Sequence, residues 1–162
     1  MERKTISHSK VTTIQQMMQT DANLAGNVHG GVIMKLIDNT AGIVATRHTG
    51  KNPVTASLDR LDFHHPVYVS NLLKVMASIN MVGTKSMEIG VRVEAENQVT
   101  GESRHTATAY LTFVALDDDG TPTVIPPVIL ETEEEERRNC AAKERKKFRM
   151  EQIHKKTEDC RE

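Results

Sequence analysis

Cysteine is scarce. Cys140 and Cys160 are the only two, and both sit in the charged C-terminal stretch. Neither has metal-ligand spacing, and the pair argues against a disulfide framework, so a reducing compartment fits best. Long apolar runs are also missing. Nothing approaches the length of a membrane span, and the N-terminus lacks the apolar core of a secretion signal. A cytosolic protein is the expectation. Net charge is nearly absent: 21 Lys plus Arg stand against 22 Asp plus Glu, a formal −1. This argues against a dedicated nucleic-acid binder, while a local basic patch can still take a small anion. Only 38% of residues are apolar, and the mean hydropathy is −0.45. For a 162-residue chain of single-domain length that is little core material, so some burial is expected through oligomerisation. There is no internal repeat and no low-complexity linker.

The stretch Asp21-Ala-Asn-Leu-Ala-Gly-Asn-Val-His-Gly-Gly31 runs straight into Val32-Ile-Met-Lys-Leu-Ile-Asp-Asn-Thr-Ala-Gly42. Gly26, Gly30 and Gly31 remove side chains where a ligand or another strand could come close. Ile33, Leu36, Ile37, Thr40, Ala41 and Val44 repeat at helix spacing. A helix over about 31–46 is predicted, ending at the turn residues Gly50, Asn52 and Pro53. Its first turn leaves amide hydrogens unpaired, and these favour a polarised carbonyl or an oxyanion. Asp38 lies about two turns further on. It reads equally as a functional carboxylate or as a bland one, either solvated or paired with Lys35.

Ser9 to Met18 reads as a first edge strand. After the helix the period changes to two. Val54 to Phe63, Leu73 to Met81, Ile89 to Ala95 and Ala107 to Ala115 all read as strands. The last three are joined by short turns and imply an antiparallel meander. One long helix beside such a sheet gives an α+β domain over 1–130. Pro122, Pro126 and Pro127 mark an extended segment. A charged helical extension over 131–162 follows, with Thr132 and Glu135 as a capping box. Glu133 with Arg137 and Glu134 with Arg138 are expected i,i+4 pairs. That helix either lies on the surface or crosses to a neighbouring subunit. Lys143 to Lys147 reads as a solvated face or a phosphate contact.

Asn23-x-x-Gly26-Asn-Val-His29-Gly-Gly31, with Met34-Lys-Leu-Ile-Asp38-x-x-Ala-Gly42, resembles the hot-dog-fold acyl-CoA thioesterases, most of all the cytosolic long-chain acyl-CoA hydrolase group. Arg47-His48, Val54-Thr-Ala-Ser57, Asp62-Phe63, Thr84-Lys-Ser-Met-Glu88, Phe113-Val-Ala-Leu116 and Val124-x-Pro126-Pro127 extend the resemblance over about residues 10–150. It implies a sheet wrapped around a long central helix. It also implies a homodimer with shared active sites, assembled as a trimer of dimers, in which Asn23 of one protomer meets Asp38 of the other.

The implied reaction is hydrolysis of an acyl-CoA to fatty acid and coenzyme A. The Gly31 amide, with that of Gly30, is the expected oxyanion donor. Asp38 is the general base for water, or else the nucleophile. Asn23 orients water or substrate. The thiolate leaves without a strong acid. No metal and no separate cofactor is expected, coenzyme A being part of substrate and product. His29 reads as structural or pocket-lining, and His64 and His65 as loop-end residues. Arg60, Lys85, Ser86 and Arg92 are the candidates for the phosphate-bearing tail, although Lys85 and Ser86 read as well as a plain polar turn. The competing readings are a non-catalytic acyl-CoA-binding regulator and a hot-dog hydratase or dehydratase.

Overall fold

The computed structural model describes residues 2–159, so Cys160 lies outside them. Strand β1 (Lys4–Thr5), a single helical turn α1 (Ile6–Ser9) and strand β2 (Val11–Gln16) open the chain. A 3₁₀ turn at Gln19–Asp21 and a loop lead into helix α2 (Gly30–Thr49). Four long strands follow: β3 (Asn52–Phe63), β4 (Leu72–Val82), β5 (Ser86–Glu96) and β6 (Ser103–Leu116). A short β7 (Val128–Ile129) and a long helix α3 (Glu133–Asp159) complete the order.

Helix α2 starts one residue before the predicted 31 and runs three residues past the predicted 46. Gly50 then stops it at φ 64°, where its amide reaches the Thr46 carbonyl at 2.8 Å. A left-handed residue at this place favours glycine. The five-stranded sheet has the order β2-β4-β5-β6-β3, with every pairing antiparallel. The β4-β5-β6 meander is the one that the alternation predicts. Strand β3 instead crosses to the far edge beside β6, a placement no local turn encodes.

The inner face of the sheet carries Leu73, Val75, Ala77 and Ile79 from β4, Val91 and Val93 from β5, and Ala107, Ala109 and Leu111 from β6. Against it α2 buries Ile33, Ile37, Thr40, Ala41, Val44 and Ala45. Alanines on both sides let the helix come close. Each large apolar side chain buried here contributes about 1.5–3 kcal/mol. The Thr13 and Thr40 hydroxyls pair at 2.8 Å, so a polar atom under the helix is satisfied.

Helix α3 lies on the outer face. Thr132 Oγ1 accepts the Glu135 amide at 3.2 Å, as the predicted cap requires. The reciprocal bond differs: Glu135 Oε2 takes the Glu131 amide at 2.7 Å. Glu134 binds Arg137 at 2.7 Å and Arg138 at 3.5 Å, so Arg137 pairs with Glu134 rather than with the expected Glu133. Ala142 is buried, and Asn139 Nδ2 donates to the Asn80 carbonyl at 2.9 Å. Further along, Arg145 grips Glu88 through two bonds of 2.6 and 3.2 Å and stacks 3.8 Å over the Tyr110 ring. Arg149 pairs with Asp59 and donates to Thr112 Oγ1.

At the other end of α2, His48 is fully buried, and its Nε2–H donates to the Pro126 carbonyl at 2.8 Å. Lys4 Nζ donates to the His48 carbonyl at 2.7 Å. These bonds tie both the first and the last segments of the domain to the end of α2. Burial holds the His48 imidazole below its ordinary pKa. The Lys4 and His8 charges act the same way, against the Pro126 bond.

Two stability outcomes are expected. Glu88 is 1% exposed, and Arg145→Met strands its charge, which costs about 3 kcal/mol. Denaturant unfolding will show the loss, and the double variant Arg145→Met/Glu88→Gln should recover most of it. For His48 the unfolded chain takes up a proton near pH ~6.5 while the folded chain resists it. Its contribution is therefore complete above that pH and is lost as pH falls below it. Melting temperature should drop between pH 7.5 and 5.5, with a smaller slope in His48→Gln, which keeps a donor for Pro126.

Candidate active site at the start of the central helix

The loop before α2 is built on Asn23. Its Oδ1 accepts the Ala25 amide at 2.9 Å and the Asn27 amide at 3.2 Å. Gly26, at φ 83°, turns the chain and donates to the Asn23 carbonyl at 3.0 Å. The Asn23 acceptor is thus spent on the loop, which leaves Nδ2 as a donor. Val28 is clamped to Val67, and the His29 amide to the Asp21 carbonyl, each at 2.8 Å.

His29 is the N-cap of α2, and its Nδ1 accepts the Gly31 amide at 2.9 Å. The proton of the neutral ring therefore sits on Nε2. The Val32 amide goes to the His29 carbonyl at 2.9 Å. Of the first three amides of α2, only that of Gly30 has no acceptor among the described residues. The expected donor, Gly31, is engaged by the cap.

Gly30 lines a cleft of about 330 Å³ with Asn23, Asn27, Phe63, His64 and His65. A side chain at Gly30 would meet the Phe63 ring at 3.7 Å. His65 Nδ1 bonds the His105 carbonyl at 2.9 Å, so this loop-end histidine is fixed in the cleft wall.

Asp38 does not line that cleft. It stands on the exposed face of α2, and its Oδ1 accepts Thr55 Oγ1–H at 2.6 Å. Lys35 makes no ion pair with it among the described residues. Thr55 comes from β3, which packs beside α2. Eight residues separate Gly30 from Asp38, about 12 Å along a helix. Exposed apolar side chains share this side of the two elements: Met34 on α2, and Leu58 and Phe63 on β3, are 38–49% exposed.

The cationic candidates lie elsewhere. Lys85 and Ser86 form the β4–β5 turn, closed by the Gly83 amide on the Ser86 carbonyl at 2.7 Å. This turn pairs beside Val114 and Ala115 and so marks the end of the sheet away from Phe63. Arg60 binds Asp62 at 2.6 Å, and Arg92 binds Glu94 at 2.9 Å. Both arginines sit on the outer face. Arg92 alternates with the buried Val91 and Val93, and Arg60 is in register with Tyr110, under α3.

Comparison with known proteins sets this geometry in a family. The model described as Thioesterase superfamily matches residues 25–102. An uncharacterized acyl-CoA thioester hydrolase of Bacillus subtilis is 38% identical over 125 residues, 77% of this chain and 73% of that protein. The chain belongs to the thioesterase superfamily. The rat cytosolic acyl coenzyme A thioester hydrolase is 39% identical over 127 residues, 77% of this chain, but the match spans only 33% of that longer protein. Among solved structures, acyl-CoA hydrolase from Staphylococcus aureus, in complex with butyryl coenzyme A, coenzyme A and coenzyme A disulfide, is 33% identical with a TM-score of 0.89. It covers 97% of this chain and 96% of its own. Variants of that hydrolase with one aspartate, one asparagine or one threonine changed to alanine have matching structures. An apo-hexameric acyl-CoA thioesterase has a TM-score of 0.91 at 33% identity and covers 94% of this chain and 98% of its own. The fold described above is thus the hot-dog fold of the thioesterase superfamily.

Sequence reasoning quoted Thr55 and Phe63 only inside longer motifs and gave neither a role at the site. No linear signal says that β3 lies beside α2, so the hydroxyl that holds Asp38 and the ring that covers Gly30 were not linked to either.

The cap makes its own test. His29→Ala removes the acceptor for the Gly31 amide and should cost about 1 kcal/mol in denaturant unfolding. His29→Asn should lose less, since asparagine caps helices well.

Proposed function

We propose that the protein hydrolyses acyl-CoA thioesters to a fatty acid and coenzyme A. The acyl carbonyl oxygen rests on the Gly30 amide, the free donor at the start of α2, rather than on the capped Gly31. Preorganised amides of this kind are typically worth a hundredfold or more in rate. Asn23 Nδ2 donates to the carbonyl or to the attacking water. Asp38 takes the proton from that water through the oxygen that Thr55 leaves free. The water oxygen bonds to the acyl carbon, the carbon–sulfur bond breaks, and the thiolate departs with its electron pair. A thiol of pKa near ~8.5 leaves without a dedicated acid. The reaction in this form uses no cofactor beyond the coenzyme A of the substrate.

The observation that carries this reading is the 12 Å offset between the Gly30 end of α2 and Asp38, about four times the ~3 Å over which attacking water and carbonyl must meet. Two copies, antiparallel across a twofold axis, bring Gly30 and Asn23 of one to Asp38 and Thr55 of the other. Strand β3 supports this pairing. It is a long strand on the sheet edge, and an unpaired edge is a template for a second chain. The exposed Met34, Leu58 and Phe63 supply the apolar contact. In that arrangement Lys85 and Ser86 come from the protomer that gives Asp38, and they flank the phosphate-bearing tail. The hexameric neighbour favours three such dimers. A cytosolic setting fits the rat relative's name and the two cysteines.

The test measures free thiol released from acyl-CoAs of several chain lengths. Asp38→Ala and Asn23→Ala should each lose at least a hundredfold in rate with the assembly intact. Thr55→Val should lose about tenfold, at the cost of one bond to a charged group. Co-refolding Asp38→Ala with Asn23→Ala chains should restore about a quarter of full activity, because half of the dimers then hold one intact site. Full turnover by Asp38→Ala sinks the proposed base, and no rescue on mixing sinks the shared site.

A further inference from the structure

The cleft at the start of α2 carries no formal charge. Its volume is about 330 Å³, and no Lys, Arg, Asp or Glu lines it among the described residues. Val28, Ile33, Phe63, Pro66 and Val67 make half of its lining, and asparagine, histidine and glycine make the rest. At Gly30 the missing side chain lets the Phe63 ring come close, 3.7 Å from where a β-carbon would stand. A substrate carbonyl on the Gly30 amide carries two arms. The phosphate-bearing arm needs cations, and this cleft has none. The alkyl arm needs apolar walls and a way out of water, and this cleft offers both.

One boundary of the cleft is a wall of two residues. His65 and Pro66 line it and also line a second concavity of about 180 Å³, and no other residue is shared by the two. The second concavity is ionic: Glu102 and Arg104 line it and pair at 2.8 Å. His65 and Pro66 therefore separate a neutral space from a charged one. The wall is fixed on both flanks. His65 Nδ1–H donates to the His105 carbonyl at 2.9 Å, and the His64 amide donates to the Thr106 carbonyl at 2.7 Å, so β6 holds one flank. The Val67 carbonyl accepts the Val28 amide at 2.8 Å, so the loop before α2 holds the other. The Tyr68 amide donates to Asn71 Oδ1 at 3.0 Å, and the Pro66 ring restricts its own φ. A ligand moves this wall only by breaking these bonds.

We infer that the cleft takes the alkyl end of the acyl group, and that His65, backed by Pro66, is the stop that sets its length. This rests on the reading of the site as an acyl-CoA hydrolase. A methylene is about as large as a water, so at ~30 Å³ each the cleft of about 330 Å³ holds roughly ten of them. Each methylene that leaves water on the way gains up to about fourfold in affinity. At the wall the gain ends. The next methylene must displace His65 or enter the space around Glu102 and Arg104.

The experiment titrates the intact assembly by calorimetry with S-alkyl-CoA thioethers of four to sixteen carbons, which cannot be hydrolysed, and measures thiol release from the matching acyl-CoAs. Affinity should rise with each methylene to about ten carbons and then level off. In His65→Ala the break should move to longer chains, with the ratio of sixteen-carbon to eight-carbon affinity up by about tenfold or more. In His65→Trp it should move to shorter chains, with the ratio of ten-carbon to four-carbon affinity down by about as much. Affinity that ignores chain length, or a break that neither variant moves, overturns the inference. So does a variant that weakens every length alike, which makes His65 a structural residue only. The hydrolase reading fails separately: thioethers that bind with this length dependence, while no acyl-CoA releases thiol, keep the alkyl stop and remove the reaction.

Discussion

An α-helix advances about 1.5 Å per residue, so Gly30 and Asp38 stand about 12 Å apart along α2 whatever the side chains around them do. The helix is also committed on one side, where Ile33, Ile37, Ala41 and Val44 are pinned against the sheet. It cannot bend or rotate to bring its start and its carboxylate together without exposing that face. In the proposed reading the amide end and the carboxylate are two half-sites on one rigid rod, each of which would meet its counterpart on another. Strand β3 runs beside the rod, supplies Thr55 to Asp38 and Phe63 to Gly30, and keeps its outer edge unpaired. What the proposed half-site at Gly30 would lack, a carboxylate, lies at the other end of the same two elements.

The sheet separates two electrostatic regimes. Its inner face is apolar and serves α2. Its outer face carries Arg60, Arg92, Tyr110, Thr112 and the buried Glu88, and it is partly roofed by α3. A carboxylate buried this deeply is expensive unless paired and hydrogen-bonded. Glu88 has both an arginine fork and the Asn80 amide. Such a pair adds less net stability than apolar packing of the same volume, but it fixes one position of α3 on the sheet. The charged C-terminal helix is not held by an apolar stripe, because it has few apolar residues to offer. It is held by Arg138, Asn139, Arg145 and Arg149, each reaching a definite partner on β3 to β6.

Much of the fold was legible in the sequence. The 3.6-residue period located α2, the two-residue period located the strands, and Gly50 marked the helix end. What the period cannot supply is which strand neighbours which. The partners of β3 follow from the whole sheet, and so Thr55 could not be joined to Asp38 in advance. Arg92 is a different case. Val91 and Val93 point to the core by simple alternation, so the pattern that identified β5 had already turned Arg92 away from α2. As a candidate for the phosphate-bearing tail, Arg92 thus stands across the sheet from the Asn23 of its own chain. At Gly31 the sequence did carry the information, because a residue at the N-cap spends its side chain on the amides of the first turn. His29 reads from the sequence as structural or pocket-lining, and its capping role engages the Gly31 amide.

The low apolar content acquires a physical meaning in this geometry. Among the apolar groups the chain leaves exposed, Met34 on α2 and Leu58 and Phe63 on β3 lie along the side of these two elements that carries Gly30 and Asp38. In the paired arrangement they would close over the carboxylate. Removing water from a charge is costly, but Thr55 already holds one oxygen, and in the proposed mechanism the attacking water would occupy the other. The same exclusion strengthens every dipole aimed at the carbonyl, since fixed donors act more strongly where the dielectric is low. A lone chain leaves Asp38 exposed. In the proposed pairing the contact that buries it would also complete its site, so assembly and catalysis would draw on the same surface.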